Sequence, residues 1–114
     1  MMEKSLHSGI EFKKLKIAFD DFRKISFPEP PIADELYDIY SEIVEFDAYI
    51  AGLISSLINN RKINKCDLHM DENIKQNLIN FKTTDKQTKK ELSIYINYLN
   101  KLEELINMTL NLMQ

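Results

Sequence analysis

Hydrophobic residues recur at intervals of three and four through the middle of this chain. From residue 32 onward they form one continuous stripe: Ile32, Leu36, Ile39, Ile43, Phe46, Ile50, Leu53 and Leu57. That spacing is typical of one face of an α-helix, and no glycine or proline interrupts the stripe before Gly52. It predicts a long second helix over residues 31–60, about 40 Å in length at roughly 1.5 Å per residue.

Stripes with the same period predict three further helices, over residues 8–26, 71–82 and 85–113. Their start signals are a capping box at Ser8–Glu11, an N-cap at Asp67 or Asp71, and a second capping box that opens at Thr84. The residues expected to face the core are Phe12, Leu15, Ala18, Phe19, Phe22 and Ile25 on the first helix, Ile74, Leu78 and Phe81 on the third, and Leu92, Tyr95, Leu99, Leu102, Ile106, Thr109 and Met113 on the fourth.

The connections between these helices predict how they pack. Pro28, Pro30 and Pro31 end the first helix, because proline lacks an amide donor and biases its neighbours toward extended backbone. Asn59 and Asn60 are suited to a left-handed stop after the second helix. Short connections favour antiparallel neighbours, so we predict an all-α, up-and-down antiparallel helical bundle of three long helices and one short helix. The second and fourth helices are expected at its centre.

Composition agrees with this fold class and limits the remaining choices. Two glycines and three prolines in 114 residues are too few for the turns of an all-β chain. The length predicts one domain over residues 1–114, in which residues 1–7 are expected to fray. A single cysteine, Cys66, excludes an internal disulfide. The first residues lack the apolar stretch of a secretory signal, and the most apolar run, residues 48–58, is too short to span a membrane. We therefore expect a cytoplasmic protein without a membrane partner.

Charge and motifs argue against several kinds of chemistry. A net charge of −3 disfavours nucleic acid as a partner, because phosphate binding depends on lysine and arginine. We find no glycine-rich phosphate loop, nucleophile elbow or zinc-protease motif. Cys66, His69 and Asp71 lie close in sequence, but His7 is the only other histidine, and zinc requires three or four ligands. We therefore predict a protein that is not an enzyme and that has no cofactor and no metal site.

Acidic residues are concentrated on the predicted second helix. Between Glu29 and Asn60 there are seven acidic residues and no lysine or arginine. Four of them, spaced three and four apart, form what we call the acidic face: Glu35, Asp38, Glu42 and Glu45. It is either a solvated surface balanced by lysines of a neighbouring helix or a docking surface for a basic partner protein. In the second case, Tyr37, Tyr40 and Tyr49 would supply rigid aromatic contacts.

Two further patterns concern close packing. Ala48, Gly52 and Ser56 recur every four residues, which predicts that another backbone crosses closely there: first a helix of the same chain, and secondarily a second copy in a homodimer. The end of the fourth helix is apolar around most of its circumference. It is either covered on several sides by its own chain or meets a second copy through Leu105, Met108 and Leu112.

These patterns favour a non-catalytic helical bundle that binds another protein through the acidic face. In size and helical layout the chain resembles the small helical immunity and inhibitor proteins of bacteria and mobile elements, and the resemblance covers architecture alone. It implies an inhibitor or immunity-type role. The alternative is a structural homodimer assembled through the apolar C-terminal helix.

Overall fold

The computed structural model of the chain describes residues 9–113, with side chains from residue 13 onward, and shows an all-helical protein. Its helices are α1 (Gly9–Lys24), α2 (Tyr37–Ile58), α3 (Glu72–Ile79) and α4 (Lys86–Leu112), with short 3-10 turns at Asp34–Leu36 and Lys65–Asp67. The described part of the chain contains no strand. The predictions that residues 1–7 fray, that Ser8 caps the first helix and that Phe12 faces the core lie outside the described residues.

The helices form the predicted bundle of three long helices and one short helix. The two longest, α2 and α4, pack against each other, while α1 and α3 each pack against both of them. Lys75 on α3 donates to Glu103 on α4 across 2.7 Å, which adds an ion pair to the apolar contact between these helices. Among the described residues no helix is long and apolar enough to cross a membrane.

The core follows most of the predicted stripes, with a correction on the first helix: Ile25, expected to face the core, is 38% exposed because α1 ends before it at Lys24. Every residue of the predicted α4 stripe from Leu92 to Met113 is buried, and so are Leu15, Phe22, Ile43, Ile50, Ile74 and Leu78. Ile63, Leu68 and Met70 are also buried, so the segment between α2 and α3 is held against the bundle. Because α4 contacts the other three helices, its apolar circumference is largely explained by packing within the chain.

The ends of the helices agree with the capping signals, with one correction. Asp71 caps α3 by accepting hydrogen bonds from the amides of Asn73 and Ile74. Asn60 has a φ of 64° and ends α2 in the left-handed region. The predicted capping box at Thr84 is wrong by one residue: Asp85 is the N-cap of α4, and its carboxylate accepts from both the amide and the hydroxyl of Thr88. These bonds lower the pKa of Asp85.

The start of the second helix is also corrected. It was predicted at residue 31, but α2 begins at Tyr37 after a 3-10 turn, and Ile32 is 77% exposed instead of lying in the core. The reason is the proline connection, residues 27–32, which is not helical and is hydrogen-bonded to other helices. The hydroxyl of Tyr40 donates to the carbonyl of Pro28 over 2.8 Å, and the hydroxyl of Tyr95 donates to the carbonyl of Glu29 over 2.8 Å. The Ile32 amide donates to the Glu91 carboxylate over 3.0 Å.

Candidate functional site

The site begins with the amphipathic character of α2. One side of this helix buries Ile43, Asp47, Ile50, Ile54 and Leu57 in the bundle. The opposite side, which we call the outer face of α2, is exposed and consists of Asp38, Glu42, Glu45, Ala48, Tyr49 and Gly52. Because α1, α3 and α4 occupy the inner side, the outer face is left to solvent over most of its length.

All four residues of the acidic face are exposed. Asp38, Glu42 and Glu45 lie together on the outer face of α2, while Glu35 lies on the preceding 3-10 turn. The ion pairs of the described residues are Lys16–Asp20, Arg23–Asp47, Lys24–Asp21 and Lys75–Glu103, so the acidic face takes part in none of them. Lysines of a neighbouring helix therefore do not pair with this surface within residues 13–113.

The three tyrosines predicted beside the acidic face differ in their surroundings. Tyr37 and Tyr49 are 54% and 50% exposed, so each presents an aromatic ring to solvent. Tyr40 is half-buried, packs against Phe27 and Tyr95, and donates its hydroxyl to the proline connection. Burial, with smaller contributions from Tyr37 and Glu29, raises the pKa of Tyr40. Tyr40 therefore makes its contacts within the bundle, and the tyrosines available to a partner are Tyr37 and Tyr49.

Asp47, one of the seven acids on this stretch, does not belong to the surface. It is 6% exposed, accepts a 2.6 Å hydrogen bond from the Tyr98 hydroxyl and lies 3.2 Å from the Arg23 guanidinium. The Asp47 carboxylate therefore connects α2 to α4 through Tyr98 and to α1 through Arg23. Sequence reasoning missed this role, although Asp47 follows Ile43 by four residues and precedes Ile50 by three, which places it on the inner side.

The predicted close crossing at Ala48, Gly52 and Ser56 is wrong for this chain. Ala48 and Gly52 are exposed and Ser56 is half-buried. A Cβ atom added at Gly52 would find no other atom within 4 Å. The small residues lie on the outer side of α2 because the large aliphatic residues of the same helix take the inner side, so no helix of the described chain passes over them.

The residues predicted for a second-copy contact lie beside α1. Leu105 is only 6% exposed, while Met108 and Leu112 are half-buried. Leu105 and Met108 line a shallow groove of 360 Å³ between α1 and α4, together with Ala18 and Ile25. Of the three residues that the homodimer alternative requires, Leu105 is therefore largely removed from the surface, and Met108 and Leu112 keep partial exposure.

The cysteine and histidine segment lies beside the middle of α2. Tyr49, Asp67, His69 and Asp71 line a shallow groove of 520 Å³, and Cys66 is exposed nearby. Nδ1 of His69 lies 2.9 Å from the backbone carbonyl of Cys66, so that ring nitrogen is engaged by the chain itself. Within the described residues, no three side chains of histidine, cysteine, aspartate or glutamate are grouped so that they could hold a metal ion.

The fold and this surface define a class of protein, an all-α up-and-down bundle with an uncovered acidic helix face. Comparison with known proteins yields no matching family model, no matching curated protein and no matching solved structure.

Proposed function

We propose that this chain is a non-catalytic protein-binding bundle, of the inhibitor or immunity type, that acts in the cytoplasm and binds a basic partner through the outer face of α2. The observation that supports the proposal is the exposure of Asp38, Glu42 and Glu45 on a helix side that no described element covers and no described lysine or arginine neutralises. Asp38 lies in the first turn of α2, where a carboxylate complements the helix dipole, but Glu42 and Glu45 lie deeper in the helix, and like charges at these spacings repel mildly.

The acidic face would act mainly on the rate and specificity of association. Clustered carboxylates attract a positively charged surface over about 10 Å at 0.1 M salt and repel acidic proteins. Tyr37 and Tyr49, each about half exposed, flank this charge and offer rigid rings for the centre of an interface. Binding should therefore weaken as salt concentration rises, chiefly through a slower association rate.

A pull-down with charge-reversed variants tests the proposal. Wild-type protein and Glu42→Lys/Glu45→Lys are used as baits, and captured proteins are identified by mass spectrometry. The matched control, Asp21→Lys/Glu104→Lys, changes the net charge equally at exposed positions on α1 and α4. We expect the wild type and the control to recover the same basic protein and the Glu42/Glu45 variant to lose it by at least about tenfold. Equal recovery of that protein by all three baits would contradict the acidic-face proposal.

A further inference from the structure

A cavity opens where the acidic face meets the start of α4. It has a volume of 680 Å³ and is lined by segment 32–35 on one side and by segment 81–88 on the other. Glu35 of the acidic face contributes to its wall, as do Gln87 and Thr88 from the first turn of α4. The cavity therefore adjoins the 3-10 turn that immediately precedes the outer face of α2.

A buried carboxylate lies directly behind this wall. Glu91 is 7% exposed, and its Oε2 accepts hydrogen bonds from the Ile32 amide at 3.0 Å and from Nε2 of Gln87 at 3.3 Å. Ile32 and Gln87 line the cavity and Glu91 does not, so Oε2 of Glu91 lies one hydrogen bond behind the lining. The other oxygen, Oε1, is buried and has no hydrogen-bond partner.

The fold does not account for the negative charge at this position. A buried charge is costly unless it is paired and hydrogen-bonded, and none of the ion pairs among the described residues includes Glu91. Holding the Ile32 amide requires only an acceptor oxygen, which a neutral glutamine also has. Lys82 lines the cavity but is exposed and is in none of those ion pairs. The unpaired oxygen thus points to a cationic donor supplied from outside.

We infer that a lysine or arginine side chain of the basic partner enters this cavity and donates to Oε1 of Glu91. Gln87, whose amide bonds the other carboxylate oxygen, covers the approach and moves aside when the side chain enters. Glu35 at the wall adds a second carboxylate to attract the cation. This inference rests on the proposed function, since it identifies where the partner's charge is received.

Two small cations that mimic the side chains test the cavity without the partner. Uniformly ¹⁵N-labelled protein is titrated with n-butylguanidinium and n-butylammonium, and n-butanol serves as the uncharged control. We expect saturable amide shifts confined to Ile32, Gln87, Thr88 and their neighbours with at least one cation, and none with butanol. Glu91→Gln should weaken the binding by at least tenfold, whereas Glu42→Gln, on the acidic face outside the cavity, should leave it unchanged.

Further measurements keep a folding defect separate from a binding defect. Glu91→Gln retains the acceptor for Ile32, so we expect it to unfold at the same or a higher urea concentration than the wild type. Gln87→Ala removes the covering side chain and should tighten binding of the cation that binds the wild type by several-fold. The inference would be overturned by amide shifts that do not saturate. It would also be overturned if Glu91→Gln bound the cation as tightly as the wild type, or if Gln87→Ala bound it no more tightly. The proposed function is judged separately, by the pull-down with Glu42→Lys/Glu45→Lys.

Discussion

At the scale of single residues, one buried carboxylate connects three helices. Asp47 on α2 accepts from Tyr98 on α4 and pairs with Arg23 on α1. The Tyr98 ring also packs against Phe22 and Phe27, with ring centroids 5.3 and 5.0 Å away. A charge held in this way is stable only while its donors remain, because an unsatisfied buried carboxylate pays the full cost of lost hydration.

We therefore predict that Tyr98→Phe destabilises the protein by about 1–3 kcal/mol, since it leaves an oxygen of Asp47 without its donor. Urea unfolding followed by circular dichroism measures the change. Tyr37→Phe is the matched control, because Tyr37 is 54% exposed and should stay within about 0.5 kcal/mol of the wild type. Equal effects of the two substitutions would contradict the proposed role of the Asp47 network.

Buried tyrosines also predict a loss of stability in alkali. Burial raises the pKa of both Tyr95 and Tyr98 above the ordinary value, with nearby Glu91 contributing at Tyr95 and the bond to Asp47 at Tyr98. In the unfolded chain these groups ionise near pH 10. Above that pH the folded state holds more protons than the unfolded state, so the free energy of unfolding falls as pH rises.

We therefore expect tyrosine ionisation to leave the urea midpoint unchanged from pH 8 to about pH 9.5 and to lower it between there and pH 11.5. Tyr98→Phe removes one of the two groups and should reduce the slope above pH 10. A slope identical to that of the wild type would show that Tyr98 is not the source of the effect.

At the scale of the helix, the outer face of α2 carries a residue that the fold does not require. Gly52 lies within α2, does not adopt a positive φ, and has open space where a Cβ would be. Glycine inside a helix costs about 0.5–1 kcal/mol relative to alanine. We predict that Gly52→Ala raises the free energy of unfolding by about that amount in urea titration.

The exposed neighbour Ala48 gives the reciprocal control. Ala48→Gly should lower stability by a similar amount, because both positions are exposed and within the same helix. If Gly52→Ala destabilised the protein instead, another chain or segment would have to occupy the space above Gly52, and the outer face would not be free.

Periodicity identified all four helices, because each helix buries a regular stripe of apolar residues. It did not locate the start of α2, since Ile32 continues the spacing while its backbone is held in the proline connection by Glu91. The exposure of Asp38, Glu42 and Glu45 could be anticipated from their spacing. The apolar stripe itself places Asp47 on the inner side of α2, but charge alone predicts exposure for Asp47 and small size alone predicts a close crossing at Gly52, so residue type misleads at both positions.

At the scale of the whole molecule, α4 is covered by the other three helices, and this bears on association between copies. Leu105 is buried against α1, and only Met108 and Leu112 of the predicted contact retain partial exposure. A stable homodimer usually buries about 800 Å² or more on each partner. We therefore expect light scattering at micromolar concentration to give the mass of one chain.

A dimer mass would instead support the homodimer alternative, and one substitution would then locate the contact. Met108→Glu places a charge in the groove between α1 and α4 without altering the buried Leu105. If the C-terminal helix is the interface, this variant should return the protein to the mass of one chain, whereas Glu42→Lys/Glu45→Lys should leave the dimer intact.

The proline connection has a consequence for where foreign sequence can be inserted. Three hydrogen bonds hold specific residues of this connection. Tyr40 donates to the Pro28 carbonyl, Tyr95 donates to the Glu29 carbonyl, and the Ile32 amide donates to Glu91. Adding even one residue there would shift these residues out of register and break several of these bonds together, even though the segment is a loop. The fold tolerates an added epitope or fluorescent label better in the connection between α3 and α4, although a label there would also lie at the wall of the 680 Å³ cavity. Residues 80, 82 and 84 there are exposed, and an insertion before Thr83 leaves the Asp85 cap intact.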